Sequence, residues 1–346
     1  LNYLKLERMM RGGWEPGREN LRAHIRLYYR YPDLSRPLND DMPHLLDPYR
    51  VLQPPRPLFA RARPEESDTP LFFVHADVPR NIVVAEPFLC YLSVRDRQNN
   101  AVPFEVVSAR VMSDSATGRV ALDEPTYNDD GRDGDRKAGD LEYAFQWQAI
   151  APTRIAWGEL TLSVELKAGD QVFKHEIPFH STPEIVGRFT GRFREAVEGG
   201  SLVIYTEVDI ARAGFYQLAA NLIHQESGQA SHVAFHYGNL QAGVQNIPFM
   251  FFGKIFHDKN RQGHFVLRYP RGKRHNLPDR GPWAGADKLK HSEAAPVLPG
   301  KEPPASWLSP YAGEYVTASY TLDVFSDKEY EGEDKESALQ AAESER

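Results

Sequence analysis

The chain of 346 residues has almost no cysteine. Cys90 stands alone, which excludes an internal disulfide and any multi-cysteine zinc site. Its setting, F-L-C-Y-L, reads as a small buried hydrophobe. Long apolar runs are also missing. No stretch approaches the ~18 residues that a membrane-crossing helix needs. A basic excess is lacking too: the formal net charge of −7 argues against non-specific binding to nucleic acid. Motifs of the major catalytic classes are absent, with no G-x-S-x-G elbow, H-E-x-x-H, phosphate-binding P-loop or dinucleotide G-x-G-x-x-G. The expectation is therefore a protein that is not an enzyme and carries no cofactor. No repeat period organises the 26 prolines and 25 glycines, which point to a turn-rich β protein.

What is present divides into four segments. Residues 1–69 form an N-terminal arm and proline-rich strap, 70–183 and 184–327 two β domains, and 328–346 an acidic tail. The chain opens on Leu1 rather than Met, which reads as a processed or truncated form. In the arm, Arg18, Arg22, Arg26 and Arg30 recur every four residues, so a helix would set them in one stripe. That stripe suits an acidic partner, a membrane headgroup surface or plain solvent; the alternation Ile25, Leu27, Tyr29, Tyr31 suits a strand equally well. From Pro32 to Pro70 the prolines leave no room for a long helix. Interleaved Leu45, Leu46, Tyr49, Val51, Leu58 and Phe59 predict that this strap lies against a domain surface.

Within 70–183, strands are expected at 71–76, 82–94, 104–112, 120–122, 143–147, 155–166 and 172–179. Leu160, Leu162, Val164 and Leu166 alternate with Thr161, Ser163 and Glu165, the pattern of a sheet with one buried face. About seven short strands in this span fit a two-sheet sandwich of immunoglobulin type. Further alternating strands follow at 202–210, 215–224, 232–237, 245–256 and 315–325, giving a second sandwich. The fold class read here is all-β: two tandem immunoglobulin-like β-sandwiches, an extended, partly helical arm and an acidic tail. A proline-rich excursion over 270–314 carries Trp283 and Trp307, which either anchor it to the sandwich or offer a stacking platform to a glycan or peptide.

The most distinctive stretch lies between the fourth and fifth strands of the first domain. Asp129, Asp133, Asp135 and Asp140 fall at positions one, five, seven and twelve, with Gly134 at position six, as in a calcium loop. Gly131 at position three and Asp140 in place of a bidentate Glu depart from that template, and the flanks read as strand and turn. The alternative is a tight loop whose Asp side chains cap their own backbone. His224, His232 and His236 on neighbouring strands are a second metal candidate, or else half-exposed strand histidines.

N-D-D-G-R-D-G-D-R-K-A-G-D-L-E-Y, residues 128–143, resembles the D-D-G-x-x-G-D-x-x-A-G-D-G-x-Y signature of immunoglobulin-like modules in exported bacterial proteins, including the choice-of-anchor X type. Leu141 stands where that signature has glycine. The order G-F-Y-Q-L-A-A-N-L, F-F-G-K-I-F and G-H-F-V-L-R-Y also resembles C-terminal modules of those proteins, among them domains of unknown function. The resemblance covers residues 70–327. It implies the fold and a periplasmic or extracellular location and supplies no activity; a protein partner is expected, with a glycan as the alternative. The functional expectation is a structural or protein-interaction module of a bacterial envelope or extracellular assembly. A carbohydrate-binding or hydrolase-accessory protein, and a calcium-dependent adhesin, are the alternatives.

Overall fold

The computed structural model describes residues 25–26, 29–39, 42–59, 70–83, 86–115, 118–148, 158–182, 184–276 and 305–344. Most of them lie in strands. The first eleven are β1 (Ser35–Pro37), β2 (Arg50–Leu58), β3 (Phe72–Pro79), β4 (Asn81–Val83), β5 (Phe88–Asp96), β6 (Glu105–Ser115), β7 (Gly118–Asp123), β8 (Thr126–Asn128), β9 (Glu142–Trp147), β10 (Gly158–Ala168) and β11 (Gln171–Thr182). Then come β12 (Gly187–Glu198), β13 (Ser201–Ile210), β14 (Gly214–His224), β15 (Ala230–Leu240), β16 (Gly243–Phe251), β17 (Phe265–His275), β18 (Ala305–Trp307) and β19 (Tyr315–Val316).

Four sheets result. One runs β2-β3-β5-β9-β8 and faces β4-β11-β10-β6-β7; another runs β1-β15-β14-β17-β18, with β19 also on β17, and faces β12-β13-β16. The first pair encloses a core of alternating inward residues, among them Val74, Phe88, Cys90, Phe145, Leu162 and Phe179. Phe88 and Phe179 meet across it with ring centroids 4.1 Å apart. The second pair encloses Ile204, Tyr216, Leu218, Phe249, Phe256 and Phe265, and Leu308 and Phe325 close it. Burial pushes the Cys90 thiol well up, as befits a core hydrophobe.

Three expectations change. The run 82–94 is not one strand: the Val83 amide bonds the Glu86 carboxylate (2.9 Å), the chain turns before Pro87, and β4 and β5 join different sheets. The run 245–256 ends as a strand at Phe251, and Gly253–Asp258 is a short helix burying Gly253, Lys254, Ile255 and Phe256. A short apolar run does not separate strand from buried helix by periodicity alone. Of 315–325 only Tyr315 and Val316 pair with β17, and Leu322–Val324 is a 3-10 turn. The acidic tail contains a helix, Glu333–Ser344.

The strap lies on its own chain. Arg50–Leu58 becomes edge strand β2, with its register slip at Gln53/Arg56 taking up Pro54 and Pro55. Ser35–Pro37 adds to β15, and Leu38 packs with Ile223, Ala230 and Val233 beneath Met42, Leu45 and Leu46.

Candidate functional site

The loop from Asp129 to Asp140 runs between β8 and β9 and folds against the outer face of β5. Asp129, Asp135 and Asp140 each place a carboxylate oxygen within 4.8 Å of the others; Asp133 is not part of that group. Backbone amides hold the three in place. Asp129 accepts from Asp140 N and Leu141 N (both 3.2 Å), Asp135 from Gly131 N (2.6 Å), and Asp140 from Glu142 N (3.0 Å). Asp130 likewise accepts from Arg132 N at 3.0 Å. Such bonds shape the turn. They also leave carboxylate lone pairs over, the donor chemistry of a hard cation.

The loop is fastened from below. Asp77 on β3 accepts from Arg50 Nε and from Arg136 Nη2 of the loop, both at 2.6 Å. Both guanidinium groups lie over the Tyr91 ring, Arg136 3.6 Å and Arg50 5.2 Å from its centroid. The Tyr91 hydroxyl then donates to the Gly134 carbonyl (2.9 Å). Gly134 itself is left-handed at φ +89, and a Cβ there would press on Leu89. Leu141, at the position where the exported-module signature has glycine, adopts φ +64. Leu141 is therefore strained in its turn.

The other predicted residues scatter. Arg18 and Arg22 lie outside the described residues, as does Trp283. Ile25 and Arg26 are helical, with Tyr29 N bonding Ile25 O (2.9 Å), and Arg26 is exposed. Arg30 bonds Asp258 (2.6 Å) beside Tyr31, whose hydroxyl donates to the same carboxylate (2.7 Å). Glu329 of the acidic tail lies 3.9 Å from Arg30, so this arginine meets the tail as well as the helix Gly253–Asp258. Trp307 is held between the two halves of the chain: its amide bonds Thr182 Oγ1 (3.1 Å), Lys273 lies 5.4 Å from its ring centroid, and His180 packs edge-on. Its contacts are those of an anchor.

The histidines do not converge. His232 is fully buried, bonded to Ser231 Oγ (2.8 Å) and the Phe252 carbonyl (3.2 Å), and burial pushes it down to about 3. His224 bonds Ser227 Oγ and the Gln262 carbonyl instead. Among the described residues the three form no metal-holding group.

Two groups of residues were not singled out by sequence. One surrounds Tyr49, whose hydroxyl donates to Pro270 O (2.6 Å) and accepts from Tyr311 N (3.0 Å). The other is the helix Gly253–Asp258, where Lys254 bonds both Asp258 (3.1 Å) and Asp327 (2.8 Å). Neither has a sequence motif, because each joins segments more than two hundred positions apart or charges of ordinary surface type.

No protein-family model and no curated protein matches the chain. Among solved structures it is similar to a DUF4785 family protein from Legionella pneumophila, at 12% identity and a TM-score of 0.38. The match covers 58% of this chain and 52% of that one, so the chain spans about half the length of that protein.

Proposed function

We propose that the chain is a non-enzymatic structural or protein-interaction module of a bacterial envelope or extracellular assembly, built as two tandem immunoglobulin-like sandwiches. One observation carries this reading: the stretch resembling the exported-module signature is an inter-strand loop whose carboxylates bond backbone amides and whose Arg136 is fixed by Asp77 and Tyr91. Its polar groups build structure. Fractionation of the source bacterium carrying a tagged full-length gene tests the location. Recovery with periplasmic, envelope or secreted material is the expected result, and recovery wholly in the cytoplasm overturns the reading.

A second reading, a calcium-dependent adhesin, draws on the approach of Asp129, Asp135 and Asp140. A ligand of the folded state stabilises it, so on this reading Tm rises with calcium and falls with a chelator. Asp135→Asn abolishes that response. A Tm unmoved by either addition leaves the loop a purely structural element.

A further inference from the structure

Strand β12, at the edge of its sheet, breaks its pairing with β13 between Phe189 and Phe193, around Gly191 at φ +84. Such a bulge re-aims the side chains that follow it. A Cβ at Gly191 would stand 2.8 Å from the Tyr311 hydroxyl, so glycine also makes room for that ring. Phe189 and Phe193 both meet Tyr311, with centroids 6.4 and 6.0 Å apart. Phe193 also lies nearly parallel to Tyr315, at 5.1 Å and 25°. Phe193, Tyr311, Tyr315 and Tyr320 thus form a half-buried aromatic rim on the second core.

A carboxylate sits within this rim. Glu195 Oε1 accepts from Ala318 N (2.7 Å) and from the Tyr320 hydroxyl (3.1 Å), while Oε2 is buried with no hydrogen-bond partner. Burial first, and then the Glu195 charge, pushes the Tyr315 hydroxyl up and the Tyr320 hydroxyl up to about 12. Among the described residues no Lys, Arg or His pairs with Glu195. Directly opposite Phe193 is Thr206, 0% exposed, whose Oγ1 is also buried without a partner. Glu195 pairs with Ile204, so Thr206 is its diagonal neighbour on one face of the sheet, a backbone separation of about 7–8 Å.

Folded proteins leave few buried polar atoms unsatisfied, and an ionised one without a counter-charge is the costlier kind. Two unsatisfied oxygens, one negative charge and a wall of aromatic faces narrow the missing partner. Water supplies no charge. Calcium or zinc needs more ligands than one carboxylate oxygen and one hydroxyl. A guanidinium favours both oxygens of a carboxylate at once, and Oε1 is already engaged by two donors. A quaternary ammonium suits aromatic rings but has no N–H for Oε2 or Thr206. A primary ammonium brings one charge and three donors, and its alkyl stem packs along apolar surface.

We propose that this rim binds a primary alkylammonium group, carried by a lysine side chain of a protein partner. The ammonium donates to Glu195 Oε2 and Thr206 Oγ1, and the stem lies against Phe193, Tyr311 and Tyr315. That stem lets a lysine reach oxygens set below the aromatic faces. The net charge of −7 favours a basic partner. A protein as the bearer rests on the reading of the chain as a protein-interaction module; the ammonium chemistry stands on the rim alone.

The test is saturation-transfer-difference NMR of the full chain with Nα-acetyl-lysine methylamide as probe. Saturation falls most on the δ and ε methylenes. The norleucine analogue, which keeps the stem and loses the ammonium, gives little signal, as does the arginine analogue. Glu195→Gln retains an acceptor for Ala318 N and weakens Kd for the lysine probe about tenfold or more, the scale of a charge-assisted hydrogen bond. Thr206→Val keeps the shape, loses the hydroxyl and weakens Kd too, which keeps the site falsifiable should Glu195→Gln fail to fold. Equal signals from the lysine and norleucine probes, or an unchanged Kd in the variants, overturn the site. An arginine probe matching lysine overturns the primary ammonium, and putrescine binding more tightly than the lysine probe overturns a protein as its bearer. The location assay above is independent of these readouts, so the two proposals fail separately.

Discussion

At Gly134 the backbone stands at φ +89, its carbonyl accepts the Tyr91 hydroxyl, and the Leu89 methyl groups occupy the space where a Cβ would project. Gly134→Ala forces an L-residue into the left-handed region and displaces Leu89, a cost of about 1–2 kcal/mol. Urea unfolding of the two proteins measures it, and an unchanged midpoint removes the strain argument. Leu141 shows what such strain looks like when tolerated: it takes φ +64 while its amide bonds Asp129 Oδ2 (3.2 Å). The carboxylate spacing of this loop was legible in the sequence because Asp and Gly advertise turn chemistry. The approach of Asp129, Asp135 and Asp140, with Asp133 left outside, was not, since it depends on where a folded turn aims each side chain.

Among the elements, β2 separates what pattern reveals from what it hides. Its prolines remove amide donors, so it reads as a strap, yet the edge of a sheet tolerates that loss. The sequence reading placed the strap against a surface; Leu58 goes further and sits in the first core at 4% exposure. Leu58→Ala therefore costs about 3 kcal/mol, as a core truncation does. Equilibrium unfolding checks this, and a loss within a few tenths of zero would show that the strap only rests on the sheet. Strands β10 and β11 were readable throughout because alternation over eleven paired positions has one buried face. The helix Gly253–Asp258 was not, because its four successive buried residues, Gly253 to Phe256, erase periodicity and leave only length to judge by.

For the whole molecule, buried histidines set the response to acid. Burial holds His175 and His180 down to about 4 and His232 to about 3, so all three are neutral in the fold. The unfolded chain takes up these protons near pH 6.5. Below that pH the unfolded state binds more protons, and stability falls as pH drops from about 6.5 toward 4. Each fully depressed histidine contributes at most about 1.4 kcal/mol per pH unit in that window, and nothing above it. Urea midpoints across this range check the slope, which is shallower in His232→Gln; an equally steep acid limb there removes His232 from the account. The all-β class was legible from the sequence as a whole. The joining of the halves through Tyr49 and Trp307 was not, since it rests on contacts between distant segments.

The attachment of the arm also dictates an order of events during synthesis. The Ser35 hydroxyl accepts from the amide of Phe252, 217 positions later. At ordinary translation speeds that partner emerges about 10–40 s after Ser35 has left the ribosome. The first core can close in that interval, because its strands are contiguous between β2 and β11. Residues 35–39 meanwhile wait with an unpaired edge, and the last piece of the second core, Phe325, arrives later still. Within residues 35–325 the first core thus closes first, and residues 35–39 are among the last parts to be set in place.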